Sequence, residues 1–369
     1  MRKVAIDSGP LTSGHKVRGV GVYTRELIKA LKKESKGLKI EAVDFEKADL
    51  TKYDLVHYPY FNPFFVTLPQ KKPTKIVVTI HDLIPLIYPK NYPPGIQGKL
   101  KFQIQKYLLK NVDGFITVSE TSKKDIVRFL SIPAEKINVI YEAPRKIFRR
   151  VTDHRTLNTV KSKYNLSSRF ALYVGDVNFN KNIMGLIEAC KLVNIGLVIC
   201  GKQAKDIEEL GLGLDVLRGP SDWVRFLFNI PHPELAHFKG ALKEFRTNKK
   251  IIRLGFVPDD ELVAIYNLAS VYCQPSFYEG FGLPVLEAMA SGTAVVCAKT
   301  QALVEIAGES ALFADPNNPK EMAKQINKAL RDPTALKLRG AKRVKEFSWV
   351  KTANKTIDYY QQVLANEQK

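Results

Sequence analysis

The chain has 369 residues, 45% of them hydrophobic and 25% charged, with 57 Lys/Arg against 37 Asp/Glu for a net charge of +20. That length accommodates two domains with substantial cores, and the composition excludes a disorder-dominated chain. The first residues run directly into a strand-like segment ending at Asp7, and no run of about 18 apolar residues occurs, so neither a signal peptide nor a membrane span is expected and a cytoplasmic location is. Cys190, Cys200, Cys273 and Cys297 stand singly in apolar segments, a pattern of reduced, buried thiols rather than disulfides or a zinc site. The charge is uneven: residues 1–168 hold 31 Lys/Arg against 15 Asp/Glu, a net +16, and residues 169–369 hold 26 against 22, a net +4. A basic first half implies an anionic partner surface, nucleic acid or acidic lipid, or else simply a soluble basic protein.

Taken in chain order, short β-rich runs at 3–7, 38–43, 54–58, 75–81, 114–119 and 137–141 alternate with helical stretches such as 23–33 and 122–130. The pattern restarts at 170–175, 196–201, 251–256, 270–274 and 293–298. This predicts an α/β protein of two Rossmann-like domains, each a parallel sheet between helices. The boundary is placed in the polar stretch 149–169, which lacks a clear apolar face. Segment 95–110 spaces Ile96, Leu100, Ile104 and Leu108 four apart, with Lys99, Lys106 and Lys110 on or near another face. Such a helix either covers a core or lies on an anionic lipid surface. Residues 203–250 exceed a simple strand-helix-strand link and include the apolar run 223–228, readable as a lid, a dimer contact or added core. Trp349, Ala353, Ile357 and Tyr360 give the last segment helical apolar spacing.

Five segments carry chemistry. Arg18-Gly-Val-Gly21-Val-Tyr23-Thr24 follows the first strand and opens a helix; its glycines suit either backbone approach to a phosphate or a tight turn. His57 and Tyr58 end one strand, and His81 and Asp82 end another, and ligands of doubly wound sheets lie at carboxyl ends of strands. Residues 172–182 end a further strand in a polar run containing Lys181. The most informative stretch is Ser276-Phe-Tyr-Glu279-Gly-Phe-Gly-Leu-Pro-Val-Leu-Glu287-Ala-Met-Ala-Ser-Gly. Gly280 and Gly282 allow close backbone approach and Pro284 suits a first helical turn, so a helix begins near Leu283 with its N–H groups free for a diphosphate. Glu279 before the turn and Glu287 one turn inside can each accept from a pair of hydroxyls; alternatively one caps the helix and the other is solvated.

From Pro275 to Gly292 this string resembles the donor-site signature of the retaining glycosyltransferases of family 4, which have the GT-B fold. The resemblance implies two Rossmann-like domains with a cleft between them, and a C-terminal helix crossing back onto the first. Residues 1–166, with 348–369, would bind acceptor, and residues 167–347 would bind the nucleotide sugar. It further implies Gly21 facing the donor phosphates, with Arg18, Tyr23, Thr24 and Tyr58 toward the acceptor. The His81-Asp82 pair would lie in the cleft, His81 against the transferred sugar and Asp82 orienting it or touching acceptor hydroxyls. Lys181 would meet the diphosphate, Val257 in the Gly255–Pro258 turn the base, Glu279 with Gly280, Phe281, Gly282 and Leu283 the sugar and phosphates, and Glu287 the ribose. Asp176 and Asn180 occupy the two places where relatives commonly have an arginine, and Arg253 is the candidate substitute.

On this resemblance the chain is expected to be a retaining hexosyltransferase that needs neither metal nor cofactor, with His81, Glu279 and Lys181 at the reaction centre. GDP-mannose leads as donor over UDP-sugars, and the acceptor is a saccharide or lipid-linked saccharide of surface glycan synthesis at the inner face of the membrane. A catalytically impaired sugar-nucleotide-binding protein would explain the absent arginine. A nucleic-acid-binding protein would explain the charge, but no such module is present and the motif-rich half carries little of it.

Overall fold

The computed structural model describes residues 1–12, 19–35, 37–206 and 233–366, with 233–237 in backbone only. The chain forms two compact units, the first built from Met1–Ile87, Pro94–Pro144 and Glu346–Lys369, the second from Tyr88–Pro93 and Arg145–Lys345. The division thus falls at Pro144/Arg145, ahead of the polar stretch 149–169. That stretch holds a helix, His154–Lys163, capped by Asp153. It buries only Val160, which explains why no apolar face is readable in it.

In the first unit, β1 (Arg2–Asp7), β2 (Leu38–Val43), β3 (Leu55–Tyr58), β4 (Lys75–Ile80), β5 (Gly114–Thr117) and β6 (Ile137–Val139) form one parallel sheet in the order β2-β1-β3-β4-β5-β6. Its central strands are buried nearly throughout, as in β4, where only Lys75 is partly exposed; parallel strands covered on both faces read as continuous apolar runs. The direction of the strand order reverses between β1 and β3.

The last helix, Trp349–Ala365, belongs to this first unit, as the crossing back predicts. Ser348 caps it, and Trp349, Ala353, Ile357, Tyr360 and Val363 form its buried stripe. Four polar contacts fix its register. Thr352 donates to the Tyr141 carbonyl at 2.7 Å. The Tyr359 hydroxyl accepts from Phe115 N–H and donates to the Lys136 carbonyl, both at 2.9 Å. The Tyr360 hydroxyl meets His57 Nδ1 at 2.5 Å. Gly114 is required below Tyr359, because a Cβ there would stand 2.8 Å from the Tyr359 hydroxyl.

The Gly95–Leu108 helix turns Gly98, Gln105 and Leu108 inward and leaves Ile96, Leu100 and Ile104 exposed. Gln105 is drawn in because its Nε2 lies 2.6–2.9 Å from three acceptors, the Asn62 and Phe65 carbonyls and Thr67 Oγ1. Of the four regularly spaced apolar residues, only Leu108 joins the core.

The second unit sets β7 (Phe170–Val174), β8 (Gly196–Cys200), β9 (Ile251–Gly255), β10 (Val271–Gln274), β11 (Val295–Ala298) and β12 (Leu312–Ala314) in the order β12-β11-β10-β7-β8-β9, all parallel. This is the dinucleotide-fold order, reversing between β7 and β10. The four cysteines are buried, and burial pushes the Cys190 thiol up to about 12. Within the 203–250 insertion, the Pro233–Thr247 helix adds Phe238, Ala241, Leu242 and Phe245 to the core; Trp223, the rest of the apolar run 223–228 and His232 lie outside the described residues. Among the described residues no helix is long and apolar enough to cross a membrane.

His57 is fully buried, its other nitrogen 2.8 Å from Thr79 Oγ1. Burial, aided by the charge of His81, holds it neutral with a pKa near 3. A folded-state pKa below the unfolded value near 6.5 makes acid favour unfolding between those two values, at roughly 1.4 kcal/mol per pH unit. The melting temperature is therefore expected to fall between pH 6.5 and pH 5, and less steeply in His57→Gln; equal slopes in the two proteins would remove His57 as the cause.

Candidate active site

At the second unit's switch point, the loops leaving β7 and β10 bring Lys181 and Glu279 together. Lys181 Nζ lies 2.8 Å from both carboxylate oxygens. Its position is built locally. Gly175 leaves β7 at φ +146°, and Gly201 passes so close that a Cβ would stand 2.1 Å from the Gly175 carbonyl oxygen. Asn182, in the left-handed region at φ 52°, caps the Ile183–Val193 helix. Its Nδ2 donates to the Pro275 and Pro316 carbonyls at 3.1 and 2.7 Å.

On the other side of Lys181, buried Asn180 is a clasp. It donates to the Tyr278 carbonyl at 3.1 Å, accepts Phe277 N–H on its own carbonyl at 2.8 Å, and takes the Tyr92 hydroxyl on Oδ1 at 2.7 Å. One of the two places expected of an arginine thus ties the lysine loop to the glutamate loop. The other, Asp176, accepts the Tyr173 hydroxyl on its backbone carbonyl at 2.6 Å.

Glu279 is 7% exposed. Its Oε1 accepts from Gln274 Nε2 and Ser276 Oγ, each at 2.7 Å. Tyr272 donates to Gln274 Oε1, so the amide must present its NH₂ to the carboxylate. Gln274, Ser276 and Tyr272 are functional supports that the sequence reading did not single out. Ser276 stands within the motif, but alternation along β10 gives no sign that Gln274 turns toward Glu279.

The Leu283–Ala290 helix starts as expected, with Gly282 at φ 103° as its N-cap and proline in its first turn. A Cβ on Gly282 would come within 2.7 Å of Leu303. The first-turn N–H groups of this helix leave toward the same loop that carries Glu279, Gly280 and Phe281. Glu287, 6% exposed, accepts from the Tyr266 hydroxyl at 3.1 Å and lies 3.9 Å from Arg145 Nη2. Val257 is buried behind Gly255, whose φ is +69°. Arg253, on edge strand β9, donates to the Ala204 carbonyl at 3.2 Å and stacks 5.1 Å over Phe245. These two contacts anchor the candidate arginine substitute at this edge of the sheet.

In the first unit, His81 leaves β4 with Nδ1 3.1 Å from Glu142 Oε1 and Nε2 3.0 Å from the Pro59 carbonyl. Burial pulls the imidazole pKa down, but the Glu142 hydrogen bond and charge, the Pro59 carbonyl and the charge of Asp82 outweigh it and raise the net value. Both nitrogens face acceptors, so the imidazolium is the form that satisfies both. Asp82 accepts Ile84 N–H at 3.1 Å.

The acceptor-side expectations need correction. Tyr23 and Thr24 are buried, Tyr23 with its hydroxyl 3.2 Å from Thr79 and its ring edge-on to His81 at 4.5 Å, and Thr24 donating to the Val20 carbonyl at 2.8 Å. Tyr58 is a core residue against Phe45, and its neighbour His57 joins the last helix to the sheet. Gly21 stands in the first turn of the Gly19–Glu34 helix, where backbone N–H groups lack intrahelical partners. Arg18 lies outside the described residues.

The family description "Glycosyl transferases group 1" matches residues 155–346, and "Glycosyltransferase Family 4" matches residues 38–143. The chain belongs to the glycosyl transferases group 1 family. O-antigen chain mannosyltransferase B of Escherichia coli is 30% identical over 321 residues, covering 83% of this chain and 75% of that protein. Serotype-specific mannosyltransferase WbdA of Escherichia coli is 29% identical over 304 residues, or 80% of this chain; the chain spans about a third of its length, 34%. Among solved structures, Anabaena HepE in complex with UDP and glucose aligns with TM-score 0.68 at 16% identity, over 98% of this chain and 100% of that one. The two parallel-sheet units of this glycosyltransferase are therefore those of the GT-B fold.

The His81–Glu142 pair gives this glycosyltransferase a pH-dependent contribution to stability. A raised folded-state pKa stabilises fully below the unfolded value near 6.5 and is lost as pH rises through the folded value. Glu142→Gln removes the charge that raises it. The ring signals of His81, followed by NMR, are expected to titrate at lower pH in that variant; an unmoved midpoint would show that Glu142 does not hold the imidazolium.

Proposed function

We propose that this glycosyltransferase is a retaining mannosyltransferase that moves mannose from GDP-mannose to a hydroxyl of a saccharide or lipid-linked saccharide during surface glycan assembly. The observation that carries the reading is the Lys181–Glu279 pair at the switch point, next to the start of the Leu283–Ala290 helix. A diphosphate placed there meets one ammonium and the helix N–H groups. With Lys181 turned to the phosphate, Glu279 Oε2 faces the sugar hydroxyls while Gln274 and Ser276 keep hold of Oε1.

In the reaction so read, the acceptor oxygen forms its bond to the anomeric carbon on the face from which the diphosphate leaves. The breaking carbon–oxygen bond leaves its electron pair on the phosphate, and the acceptor proton passes to a departing phosphate oxygen. Lys181 and the helix end take up the developing charge, so the reading calls on no metal, cofactor or protein nucleophile. Mannose is favoured by the names of the two relatives above, both mannosyltransferases. HepE, solved with UDP and glucose, makes a UDP-sugar the competing donor. The buried Asn180 favours a second reading, a protein that binds sugar nucleotide without turning it over.

A thermal-shift panel of nucleoside diphosphates and their sugars, followed by a transfer assay, separates these. GDP-mannose is expected to raise the melting temperature in proportion to its concentration over its affinity. Glu279→Gln and Lys181→Met are each expected to lower kcat by about 100-fold or more, the scale of losing one transition-state contact. Stabilisation by UDP-sugars alone would overturn the base assignment, and binding without turnover would overturn the enzyme reading.

The same reading includes contact with an anionic membrane through the Gly95–Leu108 helix. Ile96 is 90% exposed, Leu100 64% and Tyr107 67%. Lys101 lies 5.3 Å over exposed Phe65, and Lys110 lies 5.8 Å over Tyr107. Between Asp82 and Asp113 the sequence holds five lysines and no acid. An apolar stripe rimmed by lysines suits an interface of anionic headgroups. Vesicles containing phosphatidylserine are expected to sediment the protein in low salt, and Ile96→Glu/Leu100→Glu to lose most of that binding while transfer to a soluble acceptor continues. Sedimentation indifferent to anionic lipid or to salt would rule the docking out.

A further inference from the structure

We infer that Arg145 is a positioning residue for the nucleoside end of the donor site, holding the Glu287 carboxylate against the start of the Asp259–Leu268 helix. The inference rests on the donor reading above, in which Glu287 serves the ribose and the turn containing Val257 serves the base. Arg145 follows the last residue of the first unit and opens the second. Its side chain is 11% exposed. The guanidinium pairs through Nη1 with Asp259, lies 3.9 Å from Glu287 Oε1 through Nη2, and stacks 4.9 Å over Phe148. Phe148 in turn meets the Tyr266 ring edge-on at 5.5 Å. Tyr266, on the same helix as Asp259, donates to the other oxygen of Glu287.

Glu287 is therefore gripped from two sides, by a phenol inside the helix and by an arginine at the helix start. The contact of 3.9 Å is Coulombic in length rather than a hydrogen bond. It orients the carboxylate without claiming the geometry of a hydroxyl donor. The segment after Arg145 is pinned along the same helix, with Val151 N–H donating to Asn267 Oδ1 at 2.8 Å and Asn267 Nδ2 donating to the Arg149 carbonyl at 2.9 Å. A planar guanidinium spans two carboxylates in a way that an ammonium on a flexible stem does not. Asp259 stands two residues beyond Val257, so one cation bridges the two elements assigned to ribose and base.

The test uses the full chain, isothermal titration with GDP and UDP, donor kinetics, and inhibition by inorganic pyrophosphate. Arg145→Met is expected to weaken the nucleoside diphosphate that the unchanged protein binds by about tenfold or more, and to raise the donor KM by a similar factor with kcat within about threefold. Pyrophosphate needs only the Lys181 end, so its inhibition constant is expected to stay within about twofold. Arg145→Lys should recover part of the affinity, and in the Glu287→Gln background the loss from Arg145→Met should shrink, since the two residues act as one unit. A general loss of structure would instead weaken pyrophosphate and nucleoside diphosphate together, and that result, or undiminished affinity in Arg145→Met, overturns the inference. Failure of the unchanged protein to bind any nucleoside diphosphate is a separate result that removes the donor reading itself.

Discussion

The ion pair between Lys181 and Glu279 is the contact around which the second unit is arranged. A carboxylate this buried is costly unless it is paired and its lone pairs are used. Glu279 meets both conditions, through Lys181 on both oxygens and through Gln274 and Ser276 on one. Each partner is itself fixed. Gln274 is oriented by Tyr272, and Lys181 sits between Asn180 and Asn182, which bind the neighbouring loops. The strand order supplies the place, since the loops from β7 and β10 separate where the direction of the sheet reverses. The left-handed Asn182 and the touching glycines at 175 and 201 supply the curvature.

Much of this was legible because a parallel sheet buried on both faces writes itself as continuous apolar runs. Among the described residues, eleven of the twelve strands stand where those runs predict them; the edge strand β12 is the exception. The helix start at Leu283 was legible because glycine and proline mark backbone requirements locally, and Gly282, at φ 103° with a Leu303 methyl 2.7 Å from where a Cβ would stand, bears that out. What was not legible has a common cause. Arg145 and Gln274 acquire meaning only from partners brought by the fold, and nothing in the run Pro144-Arg145-Lys146 tells a pairing arginine from a solvated one.

The first unit shows the opposite error. Polar residues at strand ends and helix starts invite assignment to a ligand, yet Tyr360, His57, Thr79 and Tyr23 form a continuous buried chain of hydroxyls and an imidazole. Buried polar groups are satisfied by each other when the fold permits, and here they fasten the final helix to the sheet. Both histidines are enclosed, but burial lowers the pKa of His57, while Glu142, the Pro59 carbonyl and the charge of Asp82 together raise that of His81.

Asn180 gives the last step. An arginine at that position would project a second cation toward the diphosphate; asparagine instead turns inward and closes the lysine and glutamate loops on one another through Tyr278, Phe277 and Tyr92. On the donor reading proposed above, an anchored loop stands where a second cation would. Electrostatic stabilisation depends on donors being in place before charge develops, because reorganising them costs part of what they contribute. One lysine held between two anchored asparagines, alongside the start of the Leu283–Ala290 helix, is a smaller field than two cations but a preorganised one. On that argument, the absent arginine bears on how tightly a diphosphate is held and not on whether the remaining groups point at it.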